Sequence, residues 1–227
     1  MVVLCLLVSP MFGRTQEQFR GVDDKWQRYE SPHFELFSRQ RDADSRALLH
    51  DLEVLHAVFV DTYHLQLRQP LPVTIYYFHR RRDFAAYAPE SLKKGDDDAE
   101  LGGFYFASAD RAVIVVPTMY EPRQARQTIF HEYIHHLTQV SGDRPPMWYG
   151  EGLAELFSTL EVERGELIFG RPVPGHILRL REERLMPLAK LFAVKHGPSA
   201  FEEPLRMGQF YAESWRCCTA GISATRR

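Results

Sequence analysis

The chain has only three cysteines in 227 residues, and one of them, Cys5, lies in the N-terminal apolar run. That excludes a disulfide-stapled scaffold. Cys5 does not sit in a convincing lipobox, and the adjacent Cys217 and Cys218 read as incidental. No apolar run is long enough to cross a bilayer, so a stable membrane span is not expected. An excess of one charge is also missing. The formal net charge is −2, the sequence pI is about 6.6, and no basic stripe is interleaved with aromatics, which argues against nucleic acid as a partner. The acidic stretch Asp96-Asp97-Asp98 lacks the alternating ligand pattern of a calcium loop and reads as a solvated segment.

What is present begins with Met1 to Phe12, apolar and too short to span. It looks like the hydrophobic part of a secretory signal without its basic leader, over residues 1–14. Export, to the medium or a periplasm, is one expectation. A buried first strand or a misplaced start, with a cytoplasmic protein, is the other. The length suits one domain, or two intimate subdomains, with a sizeable core. Nothing in the sequence specifies an oligomeric state.

The densest chemistry lies at His131-Glu132-Tyr133-Ile134-His135. Histidines four apart on a helix share one face, about one turn from each other, and a tetrahedral zinc ion can take two ligands from such a pair. Glu132 projects beside a metal held there, which is the place for a general base acting on water. Roughly 0.03 such motifs are expected by chance in this composition, so coincidence is a poor explanation. Phe130, Tyr133, Ile134, Leu137 and Val140 fall on one apolar arc that leaves His131 and His135 outside it.

Gly142 and Pro145-Pro146 end this helix and turn the chain. A second helix begins near Glu151, with Leu153, Leu156, Phe157 and Leu160 on its apolar side. Glu151 and Glu155 share the opposite side, so either carboxylate can supply a third ligand. Residues 136 to 150 are long enough for an antiparallel return beside the histidines.

Upstream, 31–38 alternates like a half-buried strand, 46–63 has helical periodicity, 71–78 is β-branched and aromatic, and Phe84 and Tyr87 lie on a short helix. Segments 102–107 and 112–116, separated by Ser108-Ala109-Asp110-Arg111, predict a hairpin. This order predicts a small α/β layer ahead of the metal helices. Downstream, 166–169 reads as a strand, 176–184 as a helix, and Pro187 opens another that runs to Lys195. His33, His50, His56, His64, His79, His176 and His196 show no ligand-like pairing and read as structural or exposed.

His-Glu-x-x-His followed by Trp-x-x-Glu-Gly-x-Ala-Glu-x-Phe (Trp148 to Phe157) resembles the gluzincin metallopeptidases. The resemblance implies a zincin-like α+β fold, with a small mixed sheet, an edge-strand hairpin packed on the HExxH helix and a mainly helical C-terminal part. It implies one Zn2+ held by His131, His135 and Glu151, with Glu132 as catalytic base and Glu155 orienting a ligating histidine. It further implies a peptide or protein substrate paired along the edge strand at Gly102, Gly103 and Phe104. The glutamate with which the aminopeptidases grip a free amine is absent from that strand. Gly208 to Trp215 is similar to the segment that carries an oxyanion-binding tyrosine, which makes Tyr211 the matching residue. Residues 26 to 215 also resemble a short peptidase-MA-like family of bacterial proteins. On this reading 15–215 is one domain, with an α/β part over 26–118 and a metal-site part over 122–215. In that family a long apolar helix continues beyond the position of Trp215. Residues 216–227 have no evident apolar face here, so an irregular tail is expected. The alternative from another class is a non-catalytic binding domain braced by a metal, or a pseudo-peptidase without its last helix.

Overall fold

The computed structural model describes residues 26–67, 72–85, 103–108, 110–117, 122–142, 145–195 and 204–225. Five strands form one sheet: β1 (Gln27–Glu30), β2 (Phe34–Ser38), β3 (Val73–Phe78), β4 (Phe104–Ala107) and β5 (Ala112–Pro117). Their order is β1-β2-β3-β5-β4. β2, β3 and β5 run parallel, while β1 and β4 pair antiparallel at the two edges. Helix α1 (Asp42–Tyr63) connects β2 to the parallel β3, and the short α2 (Arg81–Ala85) follows β3.

The period-2 patterns explain the two faces of the sheet. Val73, Ile75, Tyr77, Ala112, Ile114 and Val116 pack with α1 and the later helices in the main core. Their neighbours Phe78, Val113 and Val115 pack with Phe84 and Phe104 on the opposite face. β5 is buried at every position, as expected of a strand covered on both sides.

Helix α3 (Pro122–Val140) carries the His-Glu-x-x-His motif and lies against β4 and β5. Thr128 to Leu137 are buried except His135, which is half-buried. Gly142, at φ 82°, ends the helix in the left-handed region that glycine tolerates best. Helix α4 (Met147–Ser158) returns beside α3. It starts before Glu151 because Met147 already packs into a buried cluster with Leu191, Met207, Phe210 and Tyr211. A two-stranded hairpin, β6 (Glu161–Glu163) and β7 (Glu166–Ile168), leads to α5 (Pro174–Glu182), α6 (Leu188–Ala193) and α7 (Pro204–Thr225). The molecule is thus mixed α+β, sheet-bearing in its N-terminal region and mainly helical in its C-terminal region.

The expected irregular tail is a correction. Helix α7 runs on through residues 216–225. Phe210, Tyr211, Ser214, Trp215 and Cys218 form its buried side, so Cys218 continues an apolar face that hydropathy alone does not reveal. The helix lies close on α4 at Gly152, where a Cβ would come within 2.5 Å of both the Ser214 carbonyl oxygen and Cys218 Sγ. Burial pushes the Cys218 thiol up to about 12, so this cysteine is a packing residue. Strands β1 and β6 and the first turn of α1 are additions to the sequence reading. Tyr87 and the acidic segment 96–98 lie outside the described residues. Among the described residues no helix is long and apolar enough to cross a membrane.

Candidate metal centre

Helix α3 supplies His131 and His135, and α4 supplies Glu151 from the facing turn. The three ligand atoms converge. His131 Nε2 and His135 Nε2 are 3.0 Å apart. Glu151 Oε2 lies 3.2 Å from each of them. A tetrahedral ion with bonds of about 2.0–2.1 Å separates its ligands by about 3.3–3.4 Å. The triangle fits such an ion with little adjustment, and the donor set of two imidazoles and one carboxylate suits zinc. His131, His135 and Glu151 are accordingly a cluster able to chelate a metal ion, buried except for half-buried His135.

The surroundings reinforce this. Burial alone would raise the Glu151 carboxyl, but His135 and His131 outweigh it and hold it down at about 2. Burial would lower His131, yet its bonds to Glu151 and Glu155 hold it well above the usual imidazole value. Desolvation would raise half-buried Glu155, but its bonds to His131 and His176 outweigh this and keep it far below the carboxylate range. Ionised carboxylates concentrated among imidazoles make a field that favours a cation.

The remaining predicted residues fall as follows. Glu132 is fully buried on α3, immediately beside the first ligand. Glu155, one turn after Glu151, places Oε1 3.3 Å from His131 Nδ1, the nitrogen that faces away from the convergence point. A carboxylate there fixes the ring's orientation and tautomer. Tyr211 is buried on α7, with its ring edge-on to that of His131 and centroids 6.0 Å apart. Both residues line a cavity of about 180 Å³ with Gln127, Thr128, Glu155 and Arg179. On the sheet side, β4 is an edge strand. Gly103 is buried at its start, where a Cβ would sit 2.9 Å from the Val115 carbonyl oxygen and 3.1 Å from Thr128 Cγ2. Phe104 turns its side chain into the core on the far face of the sheet and is paired with Val115 of β5. Gly102 lies outside the described residues.

One site residue was misread from sequence. His176 is neither isolated nor exposed, because its Nε2 lies 2.9 Å from Glu155 Oε2 and its side chain lines the same cavity. No local periodicity signals this contact, since the partners are 21 residues apart on different helices. His136 behaves as the helix geometry requires and points away from the ligands. The Tyr105 hydroxyl lies 2.9 Å from its Nδ1, and burial lowers its pKa to about 4.

No protein-family model matches the sequence, and no curated protein matches it. The functional reading therefore rests on the site.

Proposed function

We propose that this protein is a zinc-dependent peptidase of zincin-like fold, which hydrolyses peptide bonds with water. The observation that carries this reading is the meeting of His131 Nε2, His135 Nε2 and Glu151 Oε2 within 3.0–3.2 Å of one another, with Glu132 next in sequence to the first ligand. Zinc, when bound by these residues, supplies a Lewis acid that polarises the scissile carbonyl and acidifies water.

The chain's own groups do the rest. Glu132 accepts a proton from the attacking water and returns it to the leaving amine. The Tyr211 hydroxyl donates a hydrogen bond to the oxyanion that develops at the carbonyl. Glu155 accepts from His131 Nδ1–H and keeps Nε2 directed at the ion. An extended substrate backbone would pair with β4 through Gly103 and Phe104, a reading supported by the position of β4 at the edge of the sheet. A peptide or protein is therefore the proposed substrate. The apolar N-terminal run supports an exported, secreted or periplasmic, location.

The test is Glu132→Gln in purified, zinc-loaded protein assayed on a peptide library with and without chelator. Zinc should stay bound at one per chain while cleavage falls by about 10²–10⁴-fold. Undiminished turnover in the variant would remove the general-base assignment. Full zinc binding with no cleavage by the wild type would leave a metal-braced binding domain.

A further inference from the structure

We infer that His176 is a positioning residue for the metal centre, the outer member of a chain His131–Glu155–His176 that sets metal affinity. The inference rests on the reading of His131, His135 and Glu151 as a zinc site. It does not depend on hydrolysis.

The geometry divides the Glu155 carboxylate between two imidazoles. Oε1 lies 3.3 Å from His131 Nδ1 and Oε2 lies 2.9 Å from His176 Nε2. His131 presents Nε2 to the convergence point, so its Nδ1 carries the hydrogen that Glu155 accepts. The second oxygen accepts from His176 Nε2–H, which fixes the tautomer of that ring as well. A carboxylate held at one oxygen can swivel about its last bond. One held at both oxygens cannot leave His131 without also breaking its bond to His176. Removing His176 exposes Oε2 to the cavity that both residues line, where water and the Arg179 guanidinium compete for it. The His131 ring then loses its fixed orientation.

His176 is itself held from the other side. It lies in the first turn of α5, after Pro174 and Gly175, and only 13% of its side chain is exposed. Its ring centroid is 6.0 Å from that of Trp215, which is buried on α7. Arg179, one turn further along α5, lies over Gly208 of α7, where a Cβ would come within 2.6 Å of the guanidinium. The docking of α5 on α7 thus determines where His176 stands, and His176 determines how firmly Glu155 grips the ligand.

The experiment compares two nearly isosteric replacements in the full chain, His176→Gln and His176→Met, with Glu155→Gln beside them. Gln keeps an amide donor for Glu155 and Met does not. Zinc affinity is read by competition with a chromophoric chelator, and the ligand field by the d–d absorption of the cobalt-substituted protein. Circular dichroism verifies folding. His176→Met should weaken zinc by about tenfold and alter the cobalt spectrum. His176→Gln should restore affinity to within about threefold of wild type, and Glu155→Gln should weaken zinc at least as much as His176→Met. Equal affinities for His176→Met and wild type would overturn the inference. So would equal losses for the Gln and Met variants, because the hydrogen bond would then be irrelevant. Failure of the wild type to bind zinc would instead overturn the site reading beneath it.

Discussion

Helix α3 bears histidines on two of its sides, and the sides differ in what stands opposite. Towards α4, His131 and His135 face the carboxylate of Glu151, and three potential ligand atoms meet near one point. Towards the sheet and α1, the same helix presents His136 to the Tyr105 hydroxyl. There, too, the Tyr133 hydroxyl lies 2.5 Å from His56 Nδ1, and His56 stacks on His33 with ring centroids 3.8 Å apart. His33 in turn bonds Glu53. The second region is as rich in histidine as the first, yet its nitrogens are spent one by one on separate partners. What marks the candidate metal centre is the convergence of donor atoms, here two imidazoles and a carboxylate, and a local abundance of imidazole does not supply it.

The sharpest way to break the comparison is to truncate neighbouring histidines. His135→Ala should abolish stoichiometric zinc, measured by elemental analysis of dialysed protein. His136→Ala, one residue on, should retain one zinc per chain and show its cost in thermal unfolding instead. Equal zinc loss in both would erase the distinction drawn between the two sides.

A smaller effect separates the regions by pH. Burial, with the neighbouring His33, lowers the pKa of His56, against the opposing pull of Glu53 and Asp61. The folded protein therefore keeps His56 neutral to lower pH than the unfolded chain, which protonates near about 6.5. The stability this residue supports is complete above that value and is lost as pH falls below it. Unfolding midpoints should drop between pH 7 and pH 5, and His56→Gln should flatten that slope. An unchanged slope in the variant would show that His56 does not couple protonation to folding.

The smallest expected change is Tyr133→Phe. It removes the hydroxyl next to His56 and leaves the ring packed against Phe34. The loss should be about 1 kcal/mol in denaturant unfolding, with zinc affinity unaltered. A shift in zinc affinity would mean that the two sides of α3 are coupled.

The same contrast explains what could be read in advance. The motif helix, the returning helix with Glu151, strands β2 and β3 and the β4–β5 hairpin were legible because each is a local pattern: a spacing of four, an alternation of two, or a turn bounded by glycine and proline. Glu155 was legible because it lies one turn from Glu151. His176 was not, because its contact with Glu155 depends on the docking of α5 on α7. The last turns of α7 were not, because Cys218 counts as apolar only once Gly152 lies opposite. Strands β1 and β6 were hidden for the same reason, being short edge segments that gain order from their partners.

That opposing glycine has one more consequence. Gly152 directly follows the carboxylate ligand, and it is the point where α4 and α7 come within backbone contact. A side chain at this position would wedge the two helices apart and tilt the ligand along with its helix. The distance between two rods far down the chain is thereby written into the spacing of the candidate ligands, so a change that only loosens the carboxyl-terminal packing would reach the cluster of His131, His135 and Glu151.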